Sequence, residues 1–113
     1  MSDCLFCGIA AGAIDADVIH SSDGIVAFRD INPEAPTHLL VIPREHVASV
    51  ADLTASHKEV LAEVFEVIRA LAVSESIETG YRVVTNVGPD AGQSVDHLHF
   101  HLLGGRGLGW PPG

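Results

Sequence analysis

The chain contains two kinds of hydrophobic pattern, one typical of strands and one typical of a helix. Short apolar runs bounded by turn-forming residues predict five strands, at Val18–Ser21, Ile25–Arg29, His38–Ile42, Tyr81–Asn86 and His97–Leu103. From about Ser56 to Ile77 the apolar residues recur at helical spacing, which predicts one long amphipathic helix. Because the links between strands are mostly short, we expect an α+β domain with an antiparallel sheet and the helix on one of its faces.

Local signals define the ends and the buried face of the helix. Ser56 followed three residues later by Glu59 predicts a capping box, with Thr54 as the alternative cap. The residues expected on the buried face are apolar and recur every three or four positions: Leu61, Val64, Phe65, Ile68, Leu71 and Ala72. Near the start of the chain, residues 4–12 predict a short helix or turn that Gly12 ends.

Composition and charge narrow the class of protein. The length of 113 residues predicts one domain over residues 1–113. Six Lys and Arg against fifteen Asp and Glu give a formal charge of −9, which argues against broad binding of nucleic acid or of an anionic membrane. No apolar run approaches the roughly 18 residues of a membrane helix, and Met1-Ser2-Asp3 lacks the basic start of a leader. We therefore expect a cytoplasmic protein without a membrane partner.

Three of the seven histidines occupy alternate positions of the last predicted strand. Side chains alternate across a strand, so His97, His99 and His101 are expected on one face and the intervening apolar residues on the other. Same-face neighbours are about 7 Å apart, which is close enough to share one small ligand. The row has four interpretations: a solvent-facing polar row, a metal cluster, a nucleophile with acid or base partners, and a pH-sensing surface.

The loops that flank this strand favour phosphate chemistry among those interpretations. Gly92-Gln93-Ser94 precedes the strand and offers unhindered backbone donors and a hydroxyl, and Gly104-Gly105-Arg106 follows it. Such loops suit an anion beside the imidazoles. An imidazole can attack phosphorus directly and form a nucleotidyl intermediate, so a nucleophilic site is favoured over a pure metal cluster.

The segment His97-Leu98-His99-Phe100-His101-Leu102-Leu103 resembles the signature of the histidine triad (HIT) superfamily, in which three histidines alternate with hydrophobic residues. The similarity extends through four further segments along nearly the whole chain: Ala27–Ile31, Ala35–His38, Val41–Pro43 and Gly92–Ser94. The ending, with Gly104–Arg106 and Trp110–Gly113, is similar to the Hint branch, the nucleoside phosphoramidases. This resemblance implies a single domain with a HIT-like fold.

The resemblance also implies a mechanism. His99 matches the nucleophile, which attacks the α-phosphorus of a purine nucleoside phosphoramidate or acyl-adenylate and forms a nucleotidyl-histidine that water cleaves. His101 matches the histidine that contacts the phosphate and assists proton transfer to the leaving group. His38 matches a histidine that supports the nucleophile, whereas on its own it would be interpreted as a buried structural histidine. Ser94 matches the hydroxyl that bonds phosphate oxygens or the departing atom.

The nucleotide-binding residues implied by the resemblance come from several segments. Gly92, Gln93 and Ser94 correspond to the phosphate-binding loop, and Asn86 to a contact with the phosphate or sugar. Asp30 corresponds to the carboxylate that accepts both ribose hydroxyls, for which its two oxygens are suited. The residues that align with the purine pocket are apolar, and without the resemblance they would be assigned to an ordinary core: Leu5, Phe6, Ile9, Phe28, Ile31 and Leu40.

The cysteines Cys4 and Cys7 are too few for a secreted disulfide framework, and a Cys-x-x-Cys pair is by itself a weak metal signal. The resemblance adds His46 and His97, since some superfamily members combine such a pair with these two histidines. A Cys₂His₂ set of this kind implies a structural zinc site. His20 and His57 match nothing functional and are expected at the surface.

The leading hypothesis is a homodimeric purine nucleoside phosphoramidate hydrolase, with dimerisation through the long helix and a strand edge implied by the resemblance. The alternative within the superfamily is a dinucleoside polyphosphate hydrolase, whose signature carries Gln shortly after the third histidine. Leu102-Leu103 and glycines occupy that region here, which counts against this alternative. A third hypothesis, from another class of protein, is a nucleotide-binding interaction module with little catalytic role.

Overall fold

The computed structural model describes residues 4–113 and contains a five-stranded antiparallel sheet with one long helix, as predicted. The sheet order is β1-β2-β3-β5-β4, so β3 is central and β1 and β4 are the edges. The elements in chain order are α1 Leu5–Ala10, β1 Val18–Ser21, β2 Ile25–Arg29, β3 Thr37–Pro43, α2 Lys58–Ser74, β4 Tyr81–Val84 and β5 Phe100–Gly104. Single 3₁₀ turns lie at Val50–Asp52, Ala55–His57 and Pro89–Ala91.

The two faces of the sheet are covered by different helices. All seven residues of β3 are buried, because both of its faces are packed. On one face, Leu39 and Val41 join the main core with Val64, Ile68 and other residues of α2. On the opposite face, a smaller cluster joins α1 to the sheet through Phe6, Ile9, Val26, Phe28, Leu40 and Ile42. The second cluster is the floor of the candidate site described below.

The helix α2 begins later and ends earlier than the sequence pattern predicts. Thr54 caps the 3₁₀ turn before it and forms a reciprocal capping box with His57, so the alternative cap is confirmed and the capping box predicted from Ser56 and Glu59 is wrong. The pattern misassigned it because the Ser56 backbone amide donates to the Thr54 hydroxyl, which leaves Ser56 inside the turn. At the other end Ser76 adopts φ +61°, which stops the helix although Ile77 beyond it is buried.

Phe65 was expected on the buried face of α2, and that prediction is wrong. Its side chain is 49% exposed, and its ring meets only the flank of the core, edge-on to Phe100 with ring centroids 5.4 Å apart. The residues of α2 that face the sheet share a narrower stripe: Val64, Val67, Ile68, Leu71 and Ala72. Phe65 follows Val64 by one position, about 100° around the helix, which turns it away from that stripe.

The last strand is also shorter than predicted, since β5 begins at Phe100 rather than His97. The Leu98 backbone amide donates to the Val47 carbonyl at 2.6 Å, so the chain before Phe100 is bonded to the loop after β3 rather than to the regular ladder. The predicted alternation still holds, because Leu98, Phe100 and Leu102 all enter the main core. β4 likewise ends at Val84 instead of Asn86.

Two other histidines are not the surface residues that the sequence predicted. His57 is tied into the capping box at the start of α2, and its Nδ1 accepts from the Thr54 amide at 2.9 Å. His20 is half-buried, and its Nε2 has no hydrogen-bond partner among residues 4–113. Within the same residues, no helix combines the length and the apolar character needed to span a bilayer.

Candidate active site

His99 lies just before β5 with 5% of its surface exposed. Its Nδ1 is 2.7 Å from the backbone carbonyl of His97. Because a carbonyl only accepts, Nδ1 carries the ring proton, and a neutral imidazole with a proton on Nδ1 has a bare Nε2. The edge of the Phe6 ring packs against the imidazole with centroids 5.1 Å apart, which fixes the ring in place. The arrangement leaves His99 with one unprotonated nitrogen on an immobilised ring, as a nucleophile requires.

His101 and His38 form a directional hydrogen-bonded pair beside His99. The Glu34 backbone amide donates to Nδ1 of His38 at 3.0 Å, so the single proton of the neutral His38 ring is on Nε2. That Nε2 lies 2.9 Å from Nδ1 of His101, which therefore accepts. His101 then carries its own proton on Nε2. The chain of bonds runs one way, from the backbone amide through two imidazoles.

The surroundings of His101 hold it neutral. Burial lowers the pKa of His101 to about 4 from the ordinary 6.5, helped by the nearby His99 and His38 and opposed by the Asp30 carboxylate. At neutral pH the ring is therefore an uncharged hydrogen-bond donor through Nε2. A neutral donor suits a phosphate oxygen that gains negative charge.

A cavity of about 410 Å³ opens beside these rings. That volume falls in the range of small-molecule sites. Its apolar lining includes all six residues predicted for a purine pocket: Leu5, Phe6, Ile9, Phe28, Ile31 and Leu40. Its polar lining includes Asp30, Ser94, His99 and His101. Ile31 lies at the rim, where its side chain is 90% exposed. One cavity thus brings together apolar walls, a carboxylate, a hydroxyl and two imidazoles.

Asp30 is oriented by the loop that follows β2. Its Oδ1 accepts from the Asn32 backbone amide at 2.8 Å, and its Oδ2 is 3.4 Å from Nε2 of His38. The preceding Arg29 is held by a two-point contact with Glu75, at 3.0 and 2.8 Å, which ties the end of β2 to the end of α2. Each carboxylate oxygen has more than one lone pair, so Asp30 retains the capacity to accept from a ligand.

Three of the predicted nucleotide-binding residues do not line this cavity: Asn86, Gly92 and Gln93. The Gln93 side chain braces the loop instead, since its amide nitrogen donates to the carbonyls of Ala48 and Val95 and its oxygen accepts from the Gly88 amide. Gly92 has φ +86°, a conformation that favours glycine. These two residues shape the loop that presents Ser94. His38 stands behind His101 rather than at the cavity surface.

The cavity also has lining residues that the sequence did not point to: Ile14, Asp15, Ala16, Arg29, Asn32 and Val95. The segment with Ile14 folds back over α1, where the amides of Ala13 and Ile14 both donate to the Gly8 carbonyl. A Cβ at Gly8 would lie 2.4 Å from the Ile14 side chain, so glycine permits this close approach. Gly8 inside a short helical segment is a sequence signal for a close contact at that position. The sequence does not show that Ile14 is the residue in contact.

The four predicted zinc ligands come together in a second cluster near Phe6, whose ring lies 6.1 Å from that of His97 between centroids. His97 is fully buried; its Nε2 donates to the Pro43 carbonyl at 2.8 Å, which leaves Nδ1 bare. That Nδ1 is 3.4 Å from Sγ of Cys4 and 3.5 Å from Sγ of Cys7, and Nδ1 of His46 is 3.3 Å from Sγ of Cys7. All four ligand atoms lie within 4.8 Å of one another. Burial, together with His46 and His99, lowers the pKa of His97 and keeps the ring in the neutral form that binds metals.

These separations fit a tetrahedral zinc ion. With typical Zn–S and Zn–N bond lengths, a sulfur and a nitrogen on one tetrahedral zinc are about 3.5 Å apart. The carbonyl partner of His97 is the outer contact that orients a zinc-binding imidazole. A second group, Asp30, His38 and His101, is also compact, but its two ring nitrogens are 2.9 Å apart. That is shorter than the roughly 3.3 Å of two nitrogens on one tetrahedral zinc, so the second group is a hydrogen-bonded set.

Comparison with known proteins identifies the class. The family model described as scavenger mRNA decapping enzyme C-term binding matches residues 3–107. A HIT family hydrolase from Legionella pneumophila has a crystal structure with TM-score 0.97 and 49% identity, covering 98% of this chain and 100% of that chain. The chain belongs to the histidine triad (HIT) family, and by type of enzyme it is a HIT family hydrolase.

Two curated relatives have names that concern a substrate class and a metal. The purine nucleoside phosphoramidase of Escherichia coli is 42% identical over 106 residues, which cover 93% of this chain and 89% of that protein. The 14 kDa zinc-binding protein of Zea mays is 44% identical over 114 residues, which cover 99% of this chain and 89% of that protein. The predicted family is thereby confirmed.

Proposed function

We propose that the protein hydrolyses purine nucleoside phosphoramidates and acyl-adenylates through a nucleotidyl intermediate on His99. The observation that carries the proposal is the bare Nε2 of a buried, immobilised imidazole whose other nitrogen is bonded to the His97 carbonyl. The ring faces a cavity with apolar walls for a base and polar groups for a sugar phosphate. The E. coli relative named a purine nucleoside phosphoramidase supports the same reading.

In the first step Nε2 of His99 forms a bond to the α-phosphorus while the bond from phosphorus to nitrogen, or to the acyl oxygen, breaks. The electron pair leaves with the departing group: an amine takes up a proton from the solvent as it leaves, whereas a carboxylate leaves as the anion. Water then attacks the phosphorus of the adduct, releases the nucleoside monophosphate and restores the imidazole. Each turnover therefore consumes one water.

The remaining residues bind and orient the substrate in this proposal. His101 donates from Nε2 to the phosphate, and its low pKa favours this role over that of a pre-protonated acid. Ser94 offers its hydroxyl to the phosphate, and Asp30 accepts the ribose hydroxyls. His38 holds His101 in the required tautomer. Gly92 and Gln93 act through the shape of the loop, and Asn86 is left without an assigned contact.

The experiment is a direct comparison of two substrates. The protein is incubated with a fluorogenic adenosine phosphoramidate and, separately, with a diadenosine polyphosphate. We expect faster turnover of the phosphoramidate and, in protein quenched during turnover, a nucleotidyl adduct on the peptide that contains His99. Faster turnover of the polyphosphate would support the alternative hydrolase, and nucleotide binding without turnover of either would support the interaction module.

We also propose a structural zinc ion held by Cys4, Cys7, His46 and His97. When bound, the ion would supply a closed four-coordinate crosslink and no reaction chemistry. The four ligands connect the start of α1, the loop after β3 and the segment before β5. Because Phe6 of α1 packs against His99, the crosslink would stabilise one wall of the cavity. The maize relative named a zinc-binding protein supports this assignment.

We propose that the protein binds purine nucleotides as substrates and that it assembles as a homodimer. The support for the homodimer comes from the surface. Exposed apolar side chains lie on α2 and on the sheet edge β4: Phe65 at 49%, Val73 at 54% and Tyr81 at 37%. A dimer that paired through α2 and β4 would cover these apolar side chains, and that is what supports the proposal. Light scattering on the purified protein measures the assembly directly; a mass of about 24 kDa, twice the 11.9 kDa of one chain, is expected.

A further inference from the structure

Arg106 does not line the cavity, yet its guanidinium is hydrogen-bonded to the loop before β3, whose Glu34 amide donates to His38. Its Nε and Nη2 both donate to the Glu34 backbone carbonyl, at 3.1 and 2.9 Å. Its Nη1 donates to the Gly107 carbonyl at 2.9 Å. Two donors from one guanidinium on one carbonyl fix that peptide in distance and in direction.

The turn after β5 is built to bring Arg106 to this place. Gly105 has φ +93°, which reverses the chain directly over the loop before β3. A Cβ at Gly105 would lie 2.9 Å from Cβ of Pro36, so the two segments are in close contact. The register of the sheet places Thr37 opposite Gly104, so the contact between Gly105 and Pro36 lies one residue before Arg106 and two residues after Glu34.

Glu34 connects Arg106 to the imidazoles through its own backbone. The carbonyl of Glu34 accepts from Arg106, and its amide donates to Nδ1 of the buried His38. Neither Pro33 nor Pro36 has an amide to offer, so the proline-rich loop has few substitutes for this donor. The carbonyl belongs to the Glu34–Ala35 peptide group and the amide to the Pro33–Glu34 group, and the two groups are joined at the Cα of Glu34. A displacement of the carbonyl therefore reaches the amide through the Glu34 backbone and changes the bond that decides which nitrogen of His38 carries the proton.

We propose that Arg106 is a positioning residue that holds the backbone of Glu34 so that His38 and, through it, His101 keep their protons on Nε2. The His101 donor is aimed at the substrate phosphate only in this tautomer. The kinetic consequence rests on the proposed function; the tautomer assignment itself does not. Arg106 acts through the Glu34 backbone, because its hydrogen bonds go to the carbonyls of Glu34 and Gly107 and not to either imidazole.

The chain contains a matched control for this proposal. Arg82 and Arg106 line the same small cavity of about 310 Å³ at the end of the sheet, so both lie in similar surroundings. Arg82 donates instead to the Gly109 carbonyl of the C-terminal tail at 2.8 Å and lies 5.9 Å from the Trp110 ring. Removing Arg82 changes the charge and the cavity but leaves the bonds to Glu34 intact.

The test reads the tautomers directly. Nitrogen-15 chemical shifts of the histidine rings are recorded for wild type, Arg106→Ala, Arg106→Lys and Arg82→Ala. In wild type and Arg82→Ala we expect His38 and His101 to be protonated on Nε2 alone. In Arg106→Ala we expect averaged shifts that show a mixture of tautomers on both rings. Arg106→Lys, which supplies a single point donor, is expected to restore the wild-type pattern in part.

A second pair of variants addresses the same bond without touching Arg106. Glu34→Ala keeps the backbone amide and is expected to resemble wild type, whereas Glu34→Pro lacks the amide and is expected to reproduce the shifts of Arg106→Ala. Wild-type shifts in Arg106→Ala, or equal changes in Arg106→Ala and Arg82→Ala, would overturn the proposal. Circular dichroism on every variant confirms that the fold is retained.

The kinetic measurement then links the tautomer to the reaction. For a nucleoside phosphoramidate we expect Arg106→Ala to lower kcat about 10-fold or more with KM unchanged, because the donor is misaimed while the base and ribose contacts remain. An unchanged kcat with altered tautomers would overturn the link between them. If the wild-type protein turned over no phosphoramidate, the proposed function would fail while the nitrogen-15 shifts still decided the role of Arg106.

Discussion

Two neighbouring regions use histidines of one short motif for different purposes. In the Cys/His cluster, Nε2 of His97 donates to a backbone carbonyl and the bare Nδ1 faces two sulfurs. At the cavity, Nδ1 of His99 donates to a backbone carbonyl and the bare Nε2 belongs to a ring that lines open space. A carbonyl selects the tautomer in both regions. The group facing the bare nitrogen then decides which proposed role fits the histidine: two sulfurs suit a metal ligand, and an open cavity suits a nucleophile.

The two regions also differ in what can reach the bare ring nitrogen. His97 is fully buried among the other three ligands, so its bare nitrogen is available only to an ion inside the cluster. His99 is nearly as buried, but it borders a cavity large enough for a small molecule. Phe6 packs edge-on against both rings and separates the two regions. The comparison teaches that burial alone does not separate a structural histidine from a reactive one.

The largest expected effect comes from removing the reactive ring. His99→Ala should lower kcat for a nucleoside phosphoramidate by about 10³-fold or more, because among residues 4–113 the only other histidine that lines the cavity, His101, carries a proton on Nε2 and accepts from His38 through Nδ1. Nucleoside monophosphate binding should persist, since Asp30 and Ser94 are untouched. Calorimetric titration and steady-state kinetics measure the two quantities separately.

The same variant separates the two regions. Zinc content and melting temperature in His99→Ala should stay close to those of wild type, because no proposed ligand of the Cys/His cluster is changed. A fully active variant, or a nucleotidyl adduct found on a histidine other than His99, would contradict the assignment.

The second prediction tests the Cys/His cluster by removing one of its proposed zinc ligands. Cys4→Ser should lower the melting temperature by about 5 °C or more, because a structural zinc contributes directly to folding free energy. Cys4 is also the N-cap of α1, where its sulfur accepts from the Cys7 amide, and serine is itself a good N-cap. The substitution therefore removes the ligand while it keeps the cap.

A chelator provides the control for this variant. Wild-type protein should lose thermal stability on chelation, whereas Cys4→Ser should not respond. At temperatures where the variant is folded, the chemical step should be largely unchanged, because no reacting group is among the ligands. Elemental analysis that finds no zinc, together with melting that a chelator does not alter, would remove the zinc site from the proposal.

The sequence predicted the fold and most of the cavity wall because those features follow from periodicity and from the family motifs. The alternation of Leu98, Phe100 and Leu102 with the three histidines correctly separated core from site. It did not predict the irregular start of β5, because that depends on a bond between the Leu98 amide and the distant Val47 carbonyl. The fixed tautomers have the same origin, since the carbonyls and amides that select them belong to the backbone and have no sequence signature.

Asp30 provides a smaller effect, confined to the cavity. Asp30→Ala should weaken the binding of ribonucleotides by about 10-fold or more, with little change for 2′,3′-dideoxy analogues, because only the former lose paired hydrogen bonds to a carboxylate. Asp15→Ala is the matched control, since it removes another carboxylate from the lining of the same cavity. Equal losses for both nucleotide types would instead indicate that Asp30 acts by supporting the His38 ring, to which its Oδ2 is close.

The smallest expected effect is the pH response of His101. An NMR titration of the ring should give a midpoint near pH 4, since burial lowers the pKa of His101 to about 4, with help from His99 and His38 and against the pull of Asp30. Between the ordinary pKa of 6.5 and about 4, the unfolded chain takes up a proton at this ring and the folded protein does not. The free energy of unfolding should therefore fall as the pH falls through that window.

His101→Asn should remove this contribution and make the decrease in melting temperature shallower by a few degrees. A nucleoside monophosphate should move the midpoint upward, because an anion beside the ring favours its charged form. A midpoint near 6.5 without ligand would show that His101 is not held as a neutral donor.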